Sequence, residues 1–292
     1  MCSRSTRCNI LSIGRNLRLA RMLSMKAIFA TVCLSAALLG CEAVHCPSTE
    51  ELRPFAVGLE ALDKNGGHVQ GIAAATDALY VSQQSRLVKL DWTGRVLKTC
   101  AVPAHTGDLF WCNGRLYAAL ARGGKGFIQI YDAELNLKRE REVERGIDGI
   151  AVLDGVIYLG MGSKAQPSKN PHRVNVIGMF DAETLEEIAP HAEFDYGYET
   201  KYGFQNITTD GKLLYGSFYA VAGAPQIVVF DKNLRVRATH RLSANQGLDV
   251  IPAALAGEDR SLFIRAKTHL DGKKKIAACS FDFIPLEGLE WR

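Results

Sequence analysis

One form of sequence returns five times in this chain, and that repetition restricts the fold more than any other feature. His105-Thr-Gly-Asp-Leu-Phe-Trp-Cys-Asn-Gly-Arg-Leu-Tyr-Ala-Ala-Leu120 is a polar opening, an apolar run, a tight turn and a second apolar run containing Tyr117. The form returns at His68-Val-Gln-Gly-Ile72, Gly146-Ile-Asp-Gly-Ile150, Gly203-Phe-Gln-Asn-Ile207 and Gly247-Leu-Asp-Val-Ile251, each leading to Tyr80, Tyr158, Tyr215 or Phe263. Short apolar runs punctuated by Thr93-Gly94, Asn113-Gly114, Asp154-Gly155, Asp210-Gly211 and Asp271-Gly272 read as strands joined by turns. A third strand in each unit ends on Asp91, Asp132, Asp181, Asp231 or Asp282, each expected to cap the following turn, and a fourth strand follows. Four strands per unit, at a spacing of roughly 37 to 57 residues, is the pattern of propeller blades. The fold class is therefore all-β, a five-bladed β-propeller.

The fifth unit has only three strands, whereas Pro54 to Leu62 is an apolar strand with no hairpin partner nearby. That strand is expected to complete the fifth blade and close the ring, so that residues 54–292 form one domain. At 47% apolar, a chain of 292 residues can fill such a core.

Residues 1–40 read as a leader. They hold Arg4, Arg7, Arg15, Arg18, Arg21 and Lys26 and no acid, so the remainder has 29 basic against 31 acidic residues. A folded domain with no basic surplus argues against nucleic acid as a partner. Met25-Lys26 and the apolar run to Gly40 have the form of a secretory signal, too short to span a membrane stably, with Met25 the expected start. Leu38-Leu-Gly-Cys41 resembles the lipobox of bacterial lipoproteins, which implies cleavage before Cys41 and lipid on it. Residues 41–53 would be a tether, and the protein a monomer of the cell envelope held to the membrane by that lipid alone. An exported chain favours disulfides, and the strand order suggests Cys100 with Cys112 and Cys46 with Cys279.

In a propeller the first strands of all blades line the central channel and start at one face, the top. His68, Gln70, His105, Asp108, Asp148, Gln205, Asn206 and Asp249 are expected to converge there. Two His and three Asp on one axis make a candidate cation site, for calcium through oxygen ligands or for a transition metal through imidazole, or a general acid/base site. The top loops hold Arg86, Arg122, Lys125, Lys164, Lys169, Arg173, Lys267, Lys273, Lys274 and Lys275 against one acid, Asp271, which predicts a basic rim that attracts anions. A loop from Phe194 to Tyr202 would add Tyr196 and Tyr198 as a platform for a sugar. Gly123-Gly-Lys-Gly126 lacks the frame of a phosphate loop and reads as a hairpin bend.

The motifs Q-G-[I/L] at the first strand, L-Y-x-S in the second and [Y/F]-D-x-x-[T/N]-L around the third resemble exported bacterial propeller lipoproteins of uncharacterised role. They are also distantly similar to plant-type glutaminyl cyclotransferases, which are five-bladed. That resemblance implies a Glu-Gly pair at the second blade linked to catalysis; here the place reads Gly107-Asp108, and no catalytic residue carries over. Two functions of different class follow. One is a binding protein whose top face takes a small anionic or carbohydrate ligand, or a protein partner, with a cation in the channel. The other is an enzyme, a hydrolase or cyclotransferase using His68 or His105 beside Asp108 or Asp148.

Overall fold

Each repeat forms a four-stranded antiparallel blade, the fifth with a strand from the other end of the domain. The computed structural model describes residues 52–58, 67–103, 105–162, 172–220, 223–257, 261–271 and 276–291. The leader, Cys41 and Cys46 lie outside the described residues. β1 (Phe55–Gly58) stands apart from the first blade, which comprises β2 (Val69–Ala74), β3 (Leu79–Gln83), β4 (Arg86–Leu90) and β5 (Val96–Ala101). The second is β6 (His105–Cys112), β7 (Arg115–Arg122), β8 (Lys125–Tyr131) and β9 (Leu137–Val143).

The third and fourth blades share a strand. β10 (Ile147–Leu153), β11 (Val156–Met161) and β12 (His172–Asp181) lead into β13 (Glu187–Thr209), a single run of 23 residues. Its first part pairs with β12, as in Val176 with Glu193, and its last part with β14 (Leu213–Ala220), as in Ile207 with Gly216. β15 (Ile227–Asp231) and β16 (Val236–His240) complete a seven-stranded sheet. The expected loop from Phe194 to Tyr202 is thus strand. Phe194, Tyr196, Tyr198, Thr200 and Tyr202 alternate with polar residues or Gly, the period of a strand.

The fifth blade runs β17 (Leu248–Val250), β18 (Leu262–Leu270) and β19 (Ile276–Pro285), after a single helical turn, α1 (Ala253–Ala256), between the first two. β1 is its fourth strand, pairing Phe55 with Phe281 and Val57 with Cys279, so the two ends of the domain close the ring as expected.

Apolar side chains fill the spaces between neighbouring blades, and the recurrent tyrosine belongs to that packing. Tyr80, Tyr158 and Tyr215 are buried. The Tyr80 hydroxyl donates to the Ala133 carbonyl of the second blade and Tyr158 to the Lys232 carbonyl of the fourth, so each ring packs between blades while its polar tip finds a partner.

Four of the five recurrent aspartates cap turns. Asp91 accepts from the N–H groups of Thr93 and Arg95, Asp132 from Glu134 and Asn136, Asp181 from Glu183 and Thr184, and Asp231 from Asn233 and Arg235. Asp282 does not, because β19 continues past it; it pairs instead with Arg265 at 3.0 Å and Lys267 at 2.8 Å. Gly123 and Gly124 form the β7–β8 bend with positive φ, as a hairpin requires.

The expected disulfides do not form among the described residues: Cys100, Cys112 and Cys279 are free thiols. Cys100 pairs with Leu87 beside the top of β4, whereas Cys112 pairs with Arg115 at the bottom turn, so the two sulfurs sit at opposite ends of adjacent blades. Chain proximity suggested a bridge that strand direction forbids.

Candidate functional site

Four of the five inner strands carry a bulge near their start, between Val69 and Gly71, Thr106 and Leu109, Ile147 and Ile150, and Phe204 and Asn206. A bulge interrupts the strict alternation of faces, so neighbouring residues can both address the channel. The strands approach closely there. A Cβ on Gly71 would stand 2.4 Å from the Cα of Asp108, and one on Gly107 2.7 Å from the Asp148 carbonyl oxygen, so glycine is needed at both.

The expected residues separate into three levels. His68, Gln70, His105, Asp148 and Gln205 are at the top mouth. Gln70 Nε2 lies 2.9 Å from His68 Nε2, which as acceptor must be the unprotonated nitrogen of a neutral ring. Burial, and secondarily His105, holds the His68 pKa below its usual value. His105 Nε2 lies 3.6 Å from Asp148 Oδ1, and Gln205 Nε2 reaches Asp148 Oδ2 at 3.4 Å and the Tyr202 carbonyl at 3.1 Å.

Sequence reasoning missed three further residues of this mouth. Tyr202, 39% exposed, meets Tyr219 edge to face at 5.4 Å, and Gln246 hydrogen-bonds the Tyr219 hydroxyl. Tyr202 has φ of 64° and Gly203 of 74°, at a register shift between Lys201 and Phe204. A tyrosine in the left-handed region is unusual, and here it marks a bulge that re-aims the ring. The dipeptide Tyr202-Gly203 was the available signal. The arc from Gln70 through His105, Asp148, Gln205, Tyr202 and Tyr219 to Gln246 draws on all five blades.

Beneath it, Asp108 and Asn206 are fully buried. Asp108 Oδ2 accepts from Ile150 N at 3.1 Å and Ile207 N at 2.8 Å, and Oδ1 from Asn206 Nδ2 at 2.9 Å. Asn206 also donates to the Gln70 carbonyl at 3.0 Å and accepts from Gly247 N at 3.1 Å, so this pair ties all five blades together. Burial pushes the Asp108 pKa well above the carboxylate range, against the pull of its three donors.

Asp249 is not at the mouth. β17 pairs with β18 without a bulge and sets Asp249 opposite Ile264, the level held by Ile72, Leu109, Ile150 and Ile207 in the other blades. That is two residues deeper than Gln70, Asp148 and Gln205, with which the sequence form aligns it. Its carboxylate accepts from Ala74 N at 2.7 Å, Val250 N at 2.8 Å and the Thr208 hydroxyl. Burial raises its pKa to about 7.

The expected cation site does not assemble. Among the described residues no three His, Cys, Asp or Glu side chains are grouped to hold a metal ion. Asp108 and Asp249 use their oxygens on N–H and O–H donors at different depths. Nor is the rim simply basic. Arg122 pairs with Glu140 at 3.7 Å, Lys125 with Glu142, Arg173 with Asp195 at 3.1 Å and Lys267 with Asp282, each acid lying on the same blade as its cation. Lys164, Lys169, Lys273, Lys274 and Lys275 lie outside the described residues, as do the side chains of Tyr196 and Tyr198.

No family model and no curated relative matches this sequence. The likeness is one of fold. The chain is similar to the glutaminyl cyclase of Myxococcus xanthus, with a TM-score of 0.52 at 11% identity over 80% of this chain and 95% of that one. It is also similar to BamB from Moraxella catarrhalis, at 0.38 and 12% over 72% and 61%, and to the Pan2 WD40 domain of Neurospora crassa, at 0.42 and 9% over 80% and 97%.

Proposed function

We propose that the protein is an exported, lipid-anchored propeller of the bacterial cell envelope whose top mouth binds a small carbohydrate. The observation that supports this is the arc of Gln70, His105, Asp148, Gln205, Tyr202 and Tyr219. Amide and carboxylate groups can exchange hydrogen bonds with sugar hydroxyls, and a half-exposed tyrosine ring offers an apolar face for a pyranose. The pairing of rim cations with Glu140, Glu142, Asp195 and Asp282 favours a neutral ligand over an anion. Membrane attachment would come from lipid on Cys41, and a fatty-acid label should mark the wild type and not Cys41→Ser.

A second reading, an enzyme, rests on His105 beside Asp148. A carboxylate next to an imidazole can orient it as a general base toward a bound hydroxyl or amine, as a hydrolase or cyclotransferase requires. Incubating the purified protein with neutral saccharides, sugar phosphates and peptides beginning with glutamine separates the readings. Saturable saccharide binding without turnover supports the first. Cyclisation or hydrolysis, lost in His105→Ala, would replace it by the second.

A further inference from the structure

The channel has a second opening. At the bottom face a cavity of about 390 Å³ lies among the ends of four inner strands, within the range of roughly 300 to 1,000 Å³ typical of small-molecule sites. Ala74 and Thr76 come from the first blade, Phe110 and Trp111 from the second, Thr209 from the fourth, and Asp249 with the turn through Ala253 from the fifth.

The lining is chemically one-sided. Among the described residues it includes two carboxylates, Asp249 and Asp210, and no lysine, arginine or histidine. Asp210 is engaged by the N–H groups of Lys212 and Leu213 and by the Tyr215 hydroxyl. Asp249 is held by neutral donors only. Its Oδ1 accepts from Thr208 and Val250, while Oδ2 accepts one bond, from Ala74, although an ionised carboxylate oxygen has two lone pairs. Asp108 lies above it, near enough that the two carboxylates repel each other when charged. A buried carboxylate with another above it, and no cationic partner among the described residues, gains from any positive group that can enter. The walls that such a group would pass are aromatic and aliphatic: Phe110, the Trp111 ring stacked on Tyr80 at 5.0 Å, and Ile251. Aromatic faces attract cations as well as apolar surface.

We infer that the bottom cavity is a second binding site, distinct from the carbohydrate mouth, which takes a small organic cation with an ammonium group on Asp249 and an apolar body against Phe110 and Trp111. Nothing in this inference depends on what the mouth binds.

Benzylammonium is the probe, with benzyl alcohol as its neutral counterpart, read by calorimetry and by tryptophan fluorescence on the purified protein. Benzylammonium should bind saturably, at least tenfold tighter than the alcohol, with a fluorescence change lost in Trp111→Phe. Asp249→Asn should remove the preference for the cation. Should that variant not fold, Ala253→Phe carries the test, because Ala253 is exposed at the rim of the cavity and a larger side chain there obstructs the site without entering the core. It should weaken binding tenfold or more, whereas Tyr202→Ala at the opposite face should leave it unchanged. Equal binding of the cation and the alcohol, no saturable binding, or binding that Ala253→Phe leaves intact would each overturn the inference.

Discussion

Asp108 in the second blade accepts a hydrogen bond from the backbone N–H of Ile207 in the fourth, 2.8 Å away across the propeller axis. The two blades are not neighbours in the ring, so the bond spans the channel itself. With Ile150 N and Asn206 Nδ2 on the same carboxylate, a polar tie crosses the axis at this level.

Asp108→Ala would leave three buried donors without their acceptor. At about 1 to 3 kcal/mol for each unsatisfied group, partly offset by the removed burial of a carboxylate, the expected loss is on the order of 3 kcal/mol. Asp108→Asn keeps an acceptor for the two backbone N–H groups and should cost less. Urea unfolding that finds Asp108→Ala as stable as the wild type would contradict the tie.

Asp249 gives the fold a pH dependence with a definite sign. Its carboxyl titrates at about 7 in the fold and at 3.8 when unfolded, so the folded form holds the extra proton between those values. The stability it contributes is full below 3.8 and is lost as pH rises through about 7. Asp108, raised by burial as well, acts in the same direction. Stability from chemical denaturation should fall across this window by up to about 1.4 kcal/mol per pH unit. Asp249→Asn should flatten the profile, and a wild-type stability that rises with pH there would contradict the assignment.

Ring closure depends on β1, where Val57 is buried and Phe55 stacks on Phe281 at 4.9 Å. Deleting residues 52–58 removes those two apolar contacts, worth about 3 to 6 kcal/mol, and exposes the edge of β19. A fall in the melting temperature on the order of 10 °C is expected. A truncated domain that melts with the wild type would show that closure contributes nothing.

The ring was legible because the repeat is written in residues whose partners are near in sequence. A hairpin turn or an Asp followed by its own turn is a local device, and Asp91, Asp132, Asp181 and Asp231 behave as read. Asp282 and Asp249 were misplaced for separate reasons in the fifth blade: β19 continues past Asp282, so no turn follows for it to cap, and the register between β17 and β18 carries no bulge, which sets Asp249 deeper than its sequence neighbours suggest. The acids that neutralise Arg122 and Lys125 sit on β9, and only folding brings them alongside. Tyr202, Tyr219 and Gln246 meet at the mouth because β13 runs unbroken from the third blade into the fourth, where a loop from Phe194 to Tyr202 was expected.

The thiols should differ in reactivity in an order set by burial. Cys279 is 1% exposed and its pKa is pushed up to about 12, while burial also raises Cys112. Since the thiolate is the reactive form, alkylation of the native protein at mildly alkaline pH should label Cys100 first, Cys112 more slowly and Cys279 only after unfolding. Peptide mapping without reductant should find no bridge between Cys100 and Cys112. Rapid native labelling of Cys279 would contradict its place under β1.

The carbohydrate mouth is tested most directly by saturation-transfer-difference NMR of the protein with a panel of neutral mono- and disaccharides, comparing wild type, Tyr202→Ala, Gln205→Ala and Thr76→Ala. Signal should appear on saccharide protons in the wild type and persist in Thr76→Ala at the bottom face. In both mouth variants it should fall by about tenfold in affinity, or ~1.4 kcal/mol. Saccharide signals absent from the wild type, or unchanged when Tyr202 and Gln205 are removed, would contradict the account.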